Sequence, residues 1–418
     1  MNAIGRVFFK TATFLLLILL ANNEIYALEL PPLPQDLDQV KIYLHSVDAG
    51  DPIYSKFGHT AVRIYDPVGL TDQVFNLGIF DDSDPMFAVN FYTGVMYYIA
   101  DQYPFNFAMR TYRIEKRKVW QDELMLNARQ KLTLIEKLYT QAAPENRSYP
   151  YQYFFDNCST RIRDFIDFAL DGSLKKSVDG KLSEDTFRDT VRSHMSTFSF
   201  GAMSLDILMN ARLDRSMTQW EEMYLPLRLR IHLQNLRSDS GSLILAPESV
   251  LVEGAPPIPS SLTSYFWFMA MFAVSLGISF LALIVLKLRW LGLLAFKMSL
   301  LLWSIFSGIF GLVMVMNWTL SSHEDLHHNA NLWIFCVFDF LLLYLLLKPK
   351  VQSDWRQSNL LKFLNYYCVL RALMLVSAFV LSQFSMIRQD IAPVYLTFGV
   401  AGFVVLLGST LLIRDQRS

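Results

Sequence analysis

Three stretches of the chain carry side chains whose types and spacing could do chemistry. The first is YFFDNCSTRIRD, residues 153–164, where Cys158 follows Asp156 and Asn157 and precedes Ser159. Polar residues ahead of an amphipathic run read as a helix start, with Asp156 as the capping side chain. A thiol at that point meets free backbone N–H groups and the positive end of the helix dipole, which favour thiolate. The same N–H groups could hold an oxyanion formed during acyl transfer. The plainer reading is a buried cysteine packing against its helix. The second stretch is SKFGHTAVRIYD, where His59 follows Gly58 at a strand start and could be the base such a thiol needs. Its plainer reading is a satisfied histidine at the sheet rim. The third is HEDLH, His323 to His327, the H-E-x-x-H spacing that sets two zinc ligands and the base Glu324 on one helix face. Asn329 and Asn331 follow it, and no third zinc ligand is evident.

These residues sit in a chain of 418 residues with a formal net charge of -1, which leaves no basic footprint for a nucleic acid. Hydrophobic residues make up 53%, but they are concentrated. Arg6 and Lys10 ahead of FLLLILLA read as a signal peptide or anchor over residues 1–27, with Ala27 at a cleavage site. Five apolar runs near 265–286, 293–316, 332–347, 364–386 and 393–413 approach the roughly 20 residues of a membrane span. The third is short and the fourth carries Arg371. Lys287, Arg289 and Lys297, then Lys348, Lys350, Arg356 and Lys362, then Arg414 and Arg417, mark the cytoplasmic ends. The N-terminal region and the loops SSHEDLHHNAN and SMIRQDIAP then face outward. Cys336 and Cys368 fall within spans, so Cys158 is the one thiol of the exported region and has no disulfide partner there.

The expected division is a soluble domain over 28–245, a Pro-rich linker over 246–263 and a membrane domain over 264–418. VKIYLHSV, TAVRIYD, QVFNLGIF and RTYRIEKRKVWQ read as strands. Residues 121–142 read as a helix with Leu124, Leu132, Ile135 and Leu138 on one face. The helix after Cys158 has Ile162, Phe165, Ile166 and Phe168 as its apolar side, and 183–240 reads as helical. His45 is expected half-buried in its strand, and His194 and His232 at the surface.

A His-bearing strand followed about a hundred residues later by Cys at a helix start resembles a circularly permuted papain-like fold. That order is similar to the lecithin–retinol acyltransferase type and to permuted NlpC-type enzymes. FGHTAVRIYDP, VFNLGIFD, NFYTGVMYYIA and YFFDNCSTRIRDF together resemble the N-terminal periplasmic domain of the Lnb family of bacterial lipoprotein N-acyltransferases. The resemblance implies an α+β fold class, with a permuted papain-like (NlpC-type) periplasmic domain and then an all-α bundle of about five transmembrane helices. It implies Cys158 as nucleophile and His59 as its partner, with Asn76, or second Asp81, as the orienting residue. Asn157 and Ser159 belong to the helix start that would supply oxyanion donors. Arg161 and Arg163 are candidates for steering a phosphate headgroup or for locking the helix through Asp164. His323, Asn329 and Asn331 are expected in an outward loop that caps the site, with Glu324 standing where the family pattern has proline.

The implied reaction takes an acyl chain from a phospholipid to a Cys thioester, and then to the α-amine of a diacylglyceryl lipoprotein. It needs no cofactor, metal or nucleic acid, and takes place at the bacterial inner membrane with the catalytic domain in the periplasm. Other readings stay open: acyl transfer within the lipoprotein itself, a tethered NlpC-type peptidase or amidase, a zinc protease at HEDLH, or a non-enzymatic scaffold.

Overall fold

The computed structural model describes residues 30–80, 85–195, 199–238, 240–254, 277, 289–346 and 355–417. The expected signal segment at 1–27 and Asp81 lie outside the described residues, as does the first expected span apart from Gly277.

Alternating apolar residues build an antiparallel sheet of seven strands. The strands are β1 (Lys41–Val47), β2 (His59–Asp66), β3 (Thr71–Ile79), β4 (Tyr97–Pro104), β5 (Val119–Glu123), β6 (Ser148–Pro150) and β9 (Val250–Val252). Their spatial order is β6-β4-β3-β2-β1-β5-β9, and β7 (Leu182–Thr186) pairs with β8 (Ser216–Thr218) in a separate ribbon. The central strands are buried on both faces because helices cover both. Ten helices are labelled: α1 (Phe87–Thr93), α2 (Phe105–Glu115), α3 (Ala128–Ala142), α4 (Cys158–Ala169), α5 (Phe187–His194), α6 (Ser199–Leu208), α7 (Pro226–Asn235), α8 (Arg289–Leu320), α9 (Trp355–Gln383) and α10 (Ala392–Ile413). Ile42, Leu44, Val62 and Phe75 pack with Leu134 and Ile135 of α3, Ile162 and Ile166 of α4, and Leu229 and Leu233 of α7. On the other face Val47, Ala61 and Val74 meet Ala108 and Tyr112 of α2.

Several expected elements differ. Much of RTYRIEKRKVWQ is the end of α2, not a strand. Ala108 and Tyr112 share a face at helical spacing, and the chain leaves the helix through Lys116 at φ 54° before β5 begins at Val119. The helix expected from 121 starts only at Ala128, where Asn127 and Gln130 form a capping box. Leu124 instead prolongs the sheet, its N–H bonded to the Ile42 carbonyl at 2.8 Å. Phe168 faces outward with the Lys137 ammonium over its ring. The 183–240 region is interrupted by the β7–β8 ribbon. His45 is fully buried. His194 stacks on Phe57 and donates to the Thr190 carbonyl, while His232 bonds Glu222 at 2.6 Å, so neither is a free surface residue.

Among the described residues, three helices are long and apolar enough to cross a membrane: Gly292–Leu320, Asn359–Gln383 and Ala392–Ile413. The short third run is not one straight helix: 3₁₀ turns at Glu324–Leu326 and Ala330–Trp333 lead into the 3₁₀ segment Val337–Leu346, with a bend of 41° between the two stretches. Arg371, the charge that weakened the fourth run, is buried inside the bundle. Its guanidinium pairs with Asp339 (3.2 Å) and donates to the Trp333 and Ile334 carbonyls beside the bend. Asp339 also accepts from Ser307 (2.5 Å) and from the Tyr367 hydroxyl. The ion pair is thereby fully hydrogen-bonded, as a membrane interior demands.

The loop that follows α8 clamps the two halves together. Asn329 Nδ2 donates to the Ile207 and Leu208 carbonyls at the end of α6 (2.8 and 2.7 Å), and Asn331 Nδ2 adds a second bond to Ile207. Gln389 bonds both Asn329 and the Met209 carbonyl. Asn210 reaches back to the Glu324 and His327 carbonyls.

Candidate active site

Cys158 is the first residue of α4 and is buried. The helix begins here because Asn157 caps it. The Asn157 side chain accepts from the Ser159 and Thr160 N–H groups, and the Thr160 hydroxyl accepts from the Asn157 N–H. Asp156, the expected cap, does something else: it holds Arg161 through two bonds of 2.6 and 2.7 Å. Ser159 anchors the helix start through its hydroxyl on the Met223 carbonyl.

His59 opens β2 opposite Val47. The preceding Gly58 has φ +83°, and a Cβ there would lie 2.7 Å from the Val47 carbonyl oxygen, so only glycine fits this turn. Ala61, two residues along β2, pairs with Asn76 on β3. Asn76 is thus the diagonal neighbour of His59, and its side chain hydrogen-bonds the imidazole. The Asn76 amide is oriented by its surroundings. Its nitrogen donates to the Tyr103 hydroxyl (3.1 Å) and its oxygen accepts from the Gly78 N–H (2.9 Å). The second lone pair of that oxygen can accept from the imidazole, an assignment that places the proton on Nδ1 and leaves Nε2 as the acceptor. His59 Nε2 is sealed from solvent and has no hydrogen-bond partner.

The two candidate residues meet across Gly78. A Cβ at this glycine would lie 3.1 Å from His59 Cε1 and 3.2 Å from Cys158 Cβ. Gly78 sits where the β3–β4 register shifts between Asn76 and Ile79. Such bulges commonly re-aim a strand beside a site.

Charge states follow from burial. Burial, with the nearby Arg117 charge, lowers the His59 pKa to about 4, against the hydrogen bond to Asn76. Burial also raises the Cys158 thiol, although the N–H groups of Thr60, Ser159 and Cys158 and the Arg117 charge all favour thiolate. The expectation that the helix start would leave a lowered thiol is corrected here: desolvation outweighs it. The resting pair is neutral thiol beside neutral imidazole. The N–H groups on Sγ remain suited to a charge that develops during reaction.

Sequence reasoning missed four features of this site. Thr60 directs its N–H at Sγ from β2. Gly78 makes room for both side chains. Tyr98, Tyr149, Tyr151 and Tyr153 surround the thiol, all raised chiefly by burial and further by Cys158. Tyr98 stacks on Tyr151 at 3.8 Å, and the Tyr149 hydroxyl donates to the Leu77 carbonyl. Arg117 donates from Nε to the Asp48 carbonyl (2.7 Å) and from Nη1 to Glu115 (3.0 Å), while its Nη2 is buried without a partner. No local motif marks these residues. The YPYQYFF run ahead of Cys158 was the one visible signal for the tyrosines.

The remaining candidates lie elsewhere or are committed. Arg161 is held by Asp156 and Gln141 and lies over the Tyr149 ring at 3.6 Å. Arg163 pairs with Asp164 at 2.8 Å, the helix-locking arrangement. Asn329 and Asn331 are the α6 clamp and are buried, and His323 lies beside Gly94. Glu324–Leu326 is a 3₁₀ turn, so the HEDLH spacing does not put its histidines on one α-helical face. Glu324 pairs with Arg212, and His327 Nε2 bonds the Ser321 carbonyl. Among the described residues, no three His, Cys, Asp or Glu side chains gather as a metal site.

No curated protein and no solved structure matches the chain. Residues 34–197 match the family model of the Lnb N-terminal periplasmic domain. Both the His59 and Cys158 segments lie within those residues. Over this domain, which is followed by helices able to cross a membrane, the chain resembles the Lnb family.

Proposed function

We propose that the chain is a thiol-dependent lipoprotein N-acyltransferase of the inner membrane, and that its soluble domain is a permuted papain-like unit facing the periplasm. The observation that carries this is the placement of Cys158 Cβ and the His59 ring against the same Gly78, with Asn76 behind the imidazole and N–H groups on Sγ. In the first step His59 Nε2 takes the thiol proton as Sγ attacks an ester carbonyl of a phospholipid. The N–H groups of Thr60 and Cys158 stabilise the oxyanion. The carbon–oxygen bond to glycerol breaks, and the imidazolium returns its proton to the departing alcohol. In the second step the α-amine of a diacylglyceryl lipoprotein attacks the thioester. The carbon–sulfur bond breaks, and the amine proton passes through His59 to restore the thiol. The buried tyrosines exclude water that would hydrolyse the thioester.

The test is to incubate the purified full chain with phospholipid, add a diacyl lipopeptide, and follow both by mass spectrometry. An acyl mass on Cys158 with phospholipid alone, absent in Cys158→Ala, is the expected result. N-acyl product formed equally well without phospholipid would move the donor to the lipoprotein's own glyceride. No adduct and no N-acyl product in active membranes would reject acyl transfer.

A further inference from the structure

Helix α1 leaves the sheet and lies against the membrane domain. The Tyr92 hydroxyl donates to the Val313 carbonyl of α8 (3.0 Å). The Ser321 hydroxyl donates to the Tyr92 carbonyl (2.9 Å), and the Ser322 N–H to the Thr93 carbonyl (2.8 Å). Val313 lies seven residues inside the end of α8 at Leu320. At about 1.5 Å per residue, the Tyr92 hydroxyl is about 10 Å below the end of that helix.

The segment FAVNFYT carries no charge. Met86, Val89, Val95 and Tyr97, in and around α1, are each about half exposed or more. The neighbouring surface of α8 exposes Leu312, Val315 and Trp318. A soluble face with this composition would be a liability, whereas an in-plane helix buries such a surface 5–10 Å into the lipid boundary, by a rough general figure. Tyr97 and Trp318 are residue types that favour that boundary. The patch adjoins the tyrosines around the thiol: Met96, between Val95 and Tyr97, is buried in one cluster with Tyr98 and Tyr149, against which Phe80 and Tyr151 pack. From the exposed Tyr54 the rings of Phe80, Tyr98 and Tyr151 follow one another at 5.7, 5.1 and 3.8 Å, and Tyr98 and Tyr151 adjoin Cys158.

We propose that α1 is an in-plane membrane helix whose Met86–Val89–Val95–Tyr97 surface rests among lipid acyl chains, and that it opens the Cys158 site to the bilayer along the Tyr54–Phe80–Tyr98 rings. The membrane contact stands on geometry alone. The delivery route rests on the acyl-transfer reading.

The full chain in nanodiscs of phosphatidylcholine and phosphatidylglycerol provides the test. A fluorophore is attached at Val89→Cys, or at Leu70→Cys in the β2–β3 turn, with the native cysteines replaced. Lipids bearing a nitroxide near the headgroup should quench the probe at 89 at least threefold more than at 70. Equal quenching would overturn the membrane contact whether or not the protein transfers acyl groups. In the otherwise native chain, Val89→Asp should slow acylation of Cys158 from bilayer phospholipid about tenfold more than from a water-soluble short-chain ester. Equal slowing on both would overturn the route, and no acylation of the native chain by either would instead reject the acyl-transfer reading.

Discussion

Asn76 hydrogen-bonds the His59 imidazole from the adjacent strand while its own amide nitrogen is tied to the Tyr103 hydroxyl. With one N–H so held and an oxygen lone pair still open, the amide is placed to accept from the ring, the arrangement that keeps Nε2 free. Asn76→Ala should slow Cys158 acylation on the order of 10²-fold through loss of tautomer and orientation. Asn76→Asp should recover much of the rate and move the acid limb of the pH–rate profile above its position near 4, because a carboxylate favours imidazolium. Single-turnover acylation followed by intact mass gives both readings. An unshifted limb in Asn76→Asp would remove Asn76 from this role.

Gly78 offers a test of geometry without touching either reacting side chain. Its Cβ position lies too close to both His59 and Cys158 for an added methyl to fit without movement. Gly78→Ala should cut the acylation rate about 10²-fold, the general scale for a misplacement near 1 Å. The thermal midpoint should move far less than the rate. An alanine variant of native activity would mean that the two residues do not react across this position.

Alkylation of Cys158 by iodoacetamide reads the charge state without substrate. The thiol is raised, and His59 is neutral at pH 7 with its pKa near 4. Thiolate is thus scarce at neutral pH and increases as pH rises, so alkylation should accelerate close to tenfold per unit between pH 7 and 9. A preformed thiolate–imidazolium pair would give a flat profile over that range. Arg117→Met removes a charge that favours thiolate and should displace the profile further to alkaline pH, with Arg117→Lys displacing it less. Peptide mapping separates Cys158 from Cys336 and Cys368.

The Arg371–Asp339 pair should show the asymmetry of buried charge. Asp339→Ala leaves Arg371 with backbone carbonyls alone and should destabilise the bundle by about 3–5 kcal/mol. Replacing both residues by leucine should cost less than that single change. Thermal midpoints in one detergent compare the variants, and a double variant less stable than Asp339→Ala would contradict the argument.

Cys158 and His59 were legible because each occupies a local element start that sequence can mark: polar residues ahead of an amphipathic run, and a glycine ahead of a strand. Asn76 was reached only through the resemblance, which implies a polar residue on the strand after the histidine; its place beside the imidazole comes from strand register. Gly78, the Thr60 N–H and Arg117 were not, because their importance arises from strand register and burial. The helix start at Cys158 was read correctly, but its effect on the thiol was not. Dipole and N–H groups are local, whereas desolvation depends on tyrosines from β4 and β6 that only the fold brings close. RTYRIEKRKVWQ was misread because its alternating β-branched and aromatic residues fit a strand over a short window, while the Ala108–Tyr112 face that makes it helical begins upstream.

The clamp of Asn329 and Asn331 on α6 bears on the order in which the protein is made. The carbonyls of Ile207 and Leu208 end a helix in the N-terminal half, and the Asn329 and Asn331 side chains that bond them are encoded some 120 residues later, beyond α8. The N-terminal half is synthesised first, with those two carbonyls unpaired. That helix end closes only once α8 and the loop after it have been made and folded back against it. Completion of the N-terminal half thus waits on the part of the chain that follows it.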